Sequence, residues 1–120
     1  VPYTSSSTQI NLFFQNLNEF LDARVYCDLT LTVGNEQFSC HRIILASSSP
    51  YFQALLTHQF KENHLQTIAL SDIEPSIFSH LLHYVYSGKI ELDEENVHPL
   101  LIASDMFQLD EVMQFCCHYL

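Results

Sequence analysis

Groups able to do chemistry are plentiful in this chain of 120 residues, which carries 4 Cys, 7 His and 14 Asp and Glu together. Cys40 and His41 put a thiol beside an imidazole, the raw material of a nucleophile and its base. Neighbours on a strand point to opposite faces, however, so adjacency in sequence keeps this pair apart. Cys116, Cys117 and His118 offer soft donors, but a zinc site takes about four ligands at suitable spacing and no second half follows. Ser47, Ser48 and Ser49 lack the glycines of a nucleophile elbow, and a chain with 2 Gly has no phosphate-cradling loop. Residues 91–96 (ELDEEN) are acidic without the spacing or central glycine of a calcium loop. They read instead as a helix start whose negative charge suits the helix dipole. Nothing assembles nucleophile, base and orienter, so no enzyme activity, no metal and no cofactor is expected.

Composition narrows the alternatives. The length suits one domain, and a chain of this size buries roughly two-thirds of its unfolded surface without a staple. Apolar residues make up 48% of the sequence, as in a globular protein. The apolar stretches are too short to cross a bilayer. Acidic residues outnumber basic ones 14 to 4, for a formal net charge of −10. Such a surface repels phosphate backbones and anionic lipids, so neither nucleic acid nor membrane is an expected partner. Cys27, Cys40, Cys116 and Cys117 form no CxxC pair and read as free thiols of a cytosolic or nuclear protein. The chain opens on Val1 and Pro2 without an initiator Met and stops at Leu120 without a polar tail. It is expected to be a piece of a longer protein.

The elements follow from periodicity and punctuation. Residues 1–9 form a polar, hydroxyl-rich segment in which Ser6, Ser7 and Thr8 are candidate helix caps. Between 10 and 21 apolar residues recur at 10, 13, 14, 17, 20 and 21, a helical stripe, with Leu12 off it. That is more apolar surface than one core contact needs. Residues 27–41 alternate in strand fashion and break at Gly34 and Asn35, a hairpin turn. A short helix over 42–46 is followed by a second that starts at Pro50, with Ser49 as its cap, and runs to about His58. Residues 65–70 predict a third strand. Pro75 opens a helix that Gly88 closes, 89–92 form an extended link, Asp93 caps a helix to about Phe107, and Asp110 caps the last. The fold class is α/β and mostly helical: a helix cluster flanked by a small three-stranded sheet. Asp28 heads an apolar strand and Arg42 follows the hairpin, which predicts a buried charge pair.

The stretches CDLTLTV, QFSCHRIILASSSPYFQALL, IFSHLLHYVYSGKIEL and LLIASDMFQLDEVMQFCCHYL resemble a BTB (POZ) domain. The residues that carry the resemblance are Asp28, His41, Leu45, Ala46, Ser49, Tyr51, Phe52, Tyr84, Tyr86, Gly88, Ala103, Leu109 and Cys117. It covers residues 10–120, which sets the domain boundary. The resemblance implies a homodimer through the first helix, with Ile10, Phe13, Phe14, Leu17 and Phe20 as interface residues. Periodicity alone does not separate dimer contact from core. Many members also exchange a strand ahead of that helix, which here is short and hydroxyl-rich.

Phe60, Lys61 and Glu62 (FKE) add a partner. BTB domains that recruit the ubiquitin-ligase scaffold cullin-3 are similar to one another here, with a hydrophobic residue, any residue, then Glu. An apolar anchor fills a pocket while a nearby carboxylate fixes register. The resemblance implies docking of the cullin-3 N-terminal region through Phe60 and Glu62, completed by Leu56, Thr57 and His58 and by Asp105, Met106 and Phe107. It also implies a substrate read by a C-terminal region outside residues 1–120, as in the BTB–kelch group. The runner-up is a BTB domain of a zinc-finger transcriptional repressor. Those domains share the Asp28/Arg42 pair, usually lack the hydrophobic-x-Glu element, and bind corepressor peptides in a groove between subunits.

Overall fold

Ser6 begins the first helix. Its Oγ accepts the amide of Gln9 at 3.4 Å, which caps α1 (Ser7–Asp22) and draws Ser7, Thr8 and Gln9 of the polar segment into the helix. The protein is described here from a computed structural model over residues 1–58 and 66–120. The element order is α1, β1 (Leu29–Val33), β2 (Glu36–Cys40), α2 (Arg42–Ser48), α3 (Pro50–His58), β3 (Gln66–Leu70), α4 (Pro75–Ser87), α5 (Val97–Met106) and α6 (Asp110–Tyr119). A mostly helical domain with one three-stranded sheet is the architecture the sequence predicts.

The sheet order is β2-β1-β3. β1 pairs antiparallel with β2, from Leu29 opposite Cys40 to Val33 opposite Glu36, and parallel with β3, from Leu29 beside Gln66 to Val33 beside Leu70. A parallel neighbour needs a crossover, and α2 and α3 supply it. Leu29, Leu31 and Val33 alternate into the core with Ile68 and Leu70 of β3, leaving Thr30 and Thr32 on the other face. The hairpin turns at Gly34, whose φ of 57° suits a residue without Cβ. On the core side the sheet's apolar residues join Phe78, Leu81 and Tyr86 of α4, Leu100 of α5 and Val112 of α6 in one buried cluster.

Two helix starts differ from expectation. Asp93 does not cap α5: its Oδ1 accepts the amides of Glu95 and Asn96 at 2.9 and 2.8 Å, closing a local turn. Asn96 completes that turn by accepting from the Asp93 amide and donating to the Glu91 carbonyl, so the helix begins one turn later, at Val97. An aspartate that closes its own turn and one that caps a helix have the same sequence signature. Asp110 is likewise the first residue of α6 rather than its cap, which is Leu109. Its carboxylate there still favours the positive end of the helix dipole.

Candidate functional site

The described thiols and imidazoles sit as follows. Cys40 is wholly buried and its thiol donates to the Phe38 carbonyl at 3.6 Å. Its neighbour His41 meets a different cysteine: Cys27 Sγ lies 3.7 Å from His41 Nε2. That nitrogen also lies 2.7 Å from the Val25 carbonyl, which can only accept, so Nε2 carries hydrogen. In the neutral ring Nδ1 then accepts from the Tyr86 hydroxyl at 2.7 Å, while the Tyr86 oxygen accepts the His41 amide at 3.0 Å. No basic lone pair is left to face Cys27. Burial, with the Asp28 charge adding to it, raises the Cys27 thiol above its ordinary value, the reverse of an activated nucleophile. Burial, aided by Cys27 and Asp28, pushes Cys40 up to about 12. Cys116 is raised by burial and then by Cys117. All four cysteines are free, with Cys117 exposed. Among the described residues, no three His, Cys, Asp or Glu side chains are placed to hold a metal ion. No described helix is long and apolar enough to cross a membrane.

Asp28 and Arg42 pair across the mouth of the hairpin. The Arg42 amide donates to Asp28 Oδ1 at 2.8 Å and its Nε to Oδ2 at 3.4 Å, while Nη1 reaches Gln66 Oε1 at 3.4 Å. The guanidinium is largely covered, whereas the carboxylate side chain keeps 44% of its surface exposed, so the pair is half-buried. It forms one wall of a surface groove continued by Ile43 and Ala46 of α2 and by Leu56 and Thr57 of α3. Ile43 is 73% exposed.

The first helix carries the larger unpartnered surface. None of its 16 residues is fully buried. Phe14, Leu17 and Leu21 turn half-buried toward their own domain, and the Phe14 ring lies over Gly88 at the end of α4. Ile10, Leu12, Phe13 and Phe20 point to solvent, Phe13 with 57% of its surface exposed. Phe20 holds the exposed Tyr26 ring edge-on at 5.4 Å, extending the apolar face beyond the helix. Of the five residues expected at a dimer contact, Ile10, Phe13 and Phe20 are free to make one. Phe14 and Leu17 spend most of theirs on packing α1 to its own domain. Tyr26 was not foreseen; its φ of 65° presents the ring outward, and no sequence pattern signals that for a non-glycine.

The residues expected to meet cullin-3 lie at the end of α3 and in the turn between α5 and α6. Phe60 and Glu62 lie outside the described residues, as does the His58 side chain. Leu56 and Phe107 belong to the core, at 4% and 1% exposure, and present little surface of their own. Thr57, Asp105 and Met106 reach the surface. Phe107 instead anchors the turn: its ring stacks on Phe52 at 5.3 Å and meets Tyr51 edge-on at 5.1 Å.

The fold has close parallels. Residues 17–120 match the BTB/POZ domain family. Kelch-like protein 40a of Danio rerio is 36% identical over 112 residues, 93% of this chain and 18% of the relative. Kelch-like protein 3 of Mus musculus is 34% identical over 117 residues, 98% of this chain and 20% of the relative. The chain thus spans about a fifth of the length of these relatives. Among solved structures, the BTB domain of zebrafish PATZ1 superposes with a TM-score of 0.85 at 25% identity, covering 99% of this chain and 97% of the other. With the family matched over residues 17–120 and the fold shared over nearly its whole length, this chain belongs to the BTB/POZ family of protein-interaction domains.

Proposed function

We propose that this BTB domain is a homodimeric, non-enzymatic docking module that presents cullin-3 to a substrate held by another part of the same protein. The observation that carries the reading is the FKE at residues 60–62, two residues after α3 ends at His58, in a domain whose relatives are Kelch-like proteins. The solvent-facing stripe of α1 supports dimerisation, because a helix of 16 residues with Ile10, Phe13 and Phe20 exposed is costly in water unless something covers it. Thr57, Asp105 and Met106 would border the cullin-3 contact. The half-buried Asp28/Arg42 pair would line the groove beside the second subunit. A region outside residues 1–120 would select the substrate, in the cytoplasm or nucleus, where free thiols persist.

Titration calorimetry with the N-terminal region of cullin-3 tests this directly. Wild type is expected to bind, and Phe60→Ala and Glu62→Ala each to weaken binding by about tenfold or more, the range of an interface anchor. Wild-type protein that is folded and dimeric yet gives no heat would sink the cullin-3 reading. Corepressor peptides, the ligands of the runner-up, would then be titrated into the same dimer.

A further inference from the structure

The cullin-3 surface proposed above is made of two pieces far apart in sequence, the end of α3 and the turn after α5. A partner touching both needs their separation held constant. One buried hydroxyl does this.

α5 ends in a Schellman turn. Gln108 takes a left-handed φ of 56°, its amide donates to the Asp105 carbonyl at 3.2 Å, and the Leu109 amide donates to the Ser104 carbonyl at 2.9 Å. The turn satisfies those two carbonyls and leaves that of Phe107 to find a partner elsewhere. The Ser49 hydroxyl supplies it, donating at 2.6 Å across 58 residues of sequence. The same oxygen accepts the Phe52 amide at 3.2 Å and so caps the first turn of α3. Ser49 is 2% exposed, so neither bond has water as a substitute. Capping alone would be served by the carboxylate of an Asp, but a carboxylate has no hydrogen for the Phe107 carbonyl. The position requires a group that donates and accepts at once. Tyr51 and Phe52, packed on Phe107 from the next positions of α3, make the junction stiff. Two turns further along α3, Thr57 is tied back to the Gln53 carbonyl at 2.6 Å.

We infer that Ser49 is a positioning residue of the docking surface, locking the start of α3 to the end of α5 so that Thr57 meets a partner in fixed register with Asp105 and Met106. The inference rests on the cullin-3 reading. Ser49→Ala removes both bonds with little change of volume, and Ser49→Thr keeps the hydroxyl. Val85→Ala, a core truncation outside both surfaces, controls for lost stability.

With all proteins folded at the temperature of measurement, Ser49→Ala is expected to bind the cullin-3 N-terminal region about fivefold to tenfold more weakly. Ser49→Thr should recover most of that loss, and Val85→Ala should bind as wild type does. Amide exchange at Gln108 and Leu109 should quicken in Ser49→Ala beyond any change in Val85→Ala. Equal weakening by Ser49→Ala and Val85→Ala, or wild-type affinity in Ser49→Ala, would overturn the positioning role while leaving the cullin-3 reading intact. No binding by wild type would remove the reading itself, and the inference with it.

Discussion

His41 shows how far adjacency in sequence misleads at the scale of single residues. Its neighbour Cys40 turns into the core, while Cys27, at the entry to the hairpin, reaches its ring. That meeting depends on strand register, which shows in space and not in spacing. The Cys40 thiol therefore acts through burial rather than reactivity, and it carries a pH signature. Cys40 is held from 9.0 up to about 12 in the folded state, mainly by desolvation. The folded chain keeps a proton that the unfolded chain releases, so this contribution to stability is complete below pH 9 and is lost as pH rises toward 12. Tyr84 and Tyr86, also raised chiefly by burial, add in the same direction. Urea unfolding should show the Cys40 contribution falling by about 1.4 kcal/mol between pH 8 and pH 10. Cys40→Ala, less stable overall, should lose about that much less than wild type over the same interval. Parallel pH profiles for the two proteins would refute the assignment.

At the scale of elements, α1 separates what periodicity left together. Its apolar positions fall on two stripes: Phe14, Leu17 and Leu21 against the domain, and Phe13 and Phe20 away from it. At about 3.6 residues per turn both stripes satisfy the same template, so the sequence announces an over-apolar helix without saying which side is core. The structure turns this into a contrast between variants. Phe13→Asp should leave the fold intact and shift the protein to monomers in sedimentation, since the ring is largely exposed and lies outside the buried core. Phe14→Ala should instead lower stability by about 1–2 kcal/mol, less than the full cost of a buried Phe because the ring is only half-covered. A Phe13→Asp protein that stays dimeric would move the interface off this stripe. The other helices were legible where a single residue sets the boundary, as Pro50, Pro75 and Gly88 do. They were illegible where side chains act locally. Asp93 closes its own turn, and Gln108 takes the left-handed position that glycine usually signals.

For the whole molecule, charge and shape pull against each other. Two chains of formal charge −10 must approach closely for the α1 stripes to meet. The ion pair nearest the groove, Asp28 with Arg42, is satisfied within its own chain, so it supplies little attraction between subunits. Association in this reading is driven by apolar burial and opposed by net repulsion. Repulsion between exposed like charges is screened over a Debye length that falls from about 30 Å at 0.01 M salt to about 10 Å at 0.1 M. The apolar term is hardly touched by that change. The dimer should therefore tighten as sodium chloride rises from about 0.02 M to about 0.2 M, by several-fold in dissociation constant, with the gain levelling off once the Debye length is shorter than the distance between the acidic surfaces. Sedimentation across that range checks it. A dimer that loosens with salt would mean that attractive charge pairs between subunits hold it together. Ile10, Phe13 and Phe20 would then be the border of a polar interface rather than its centre.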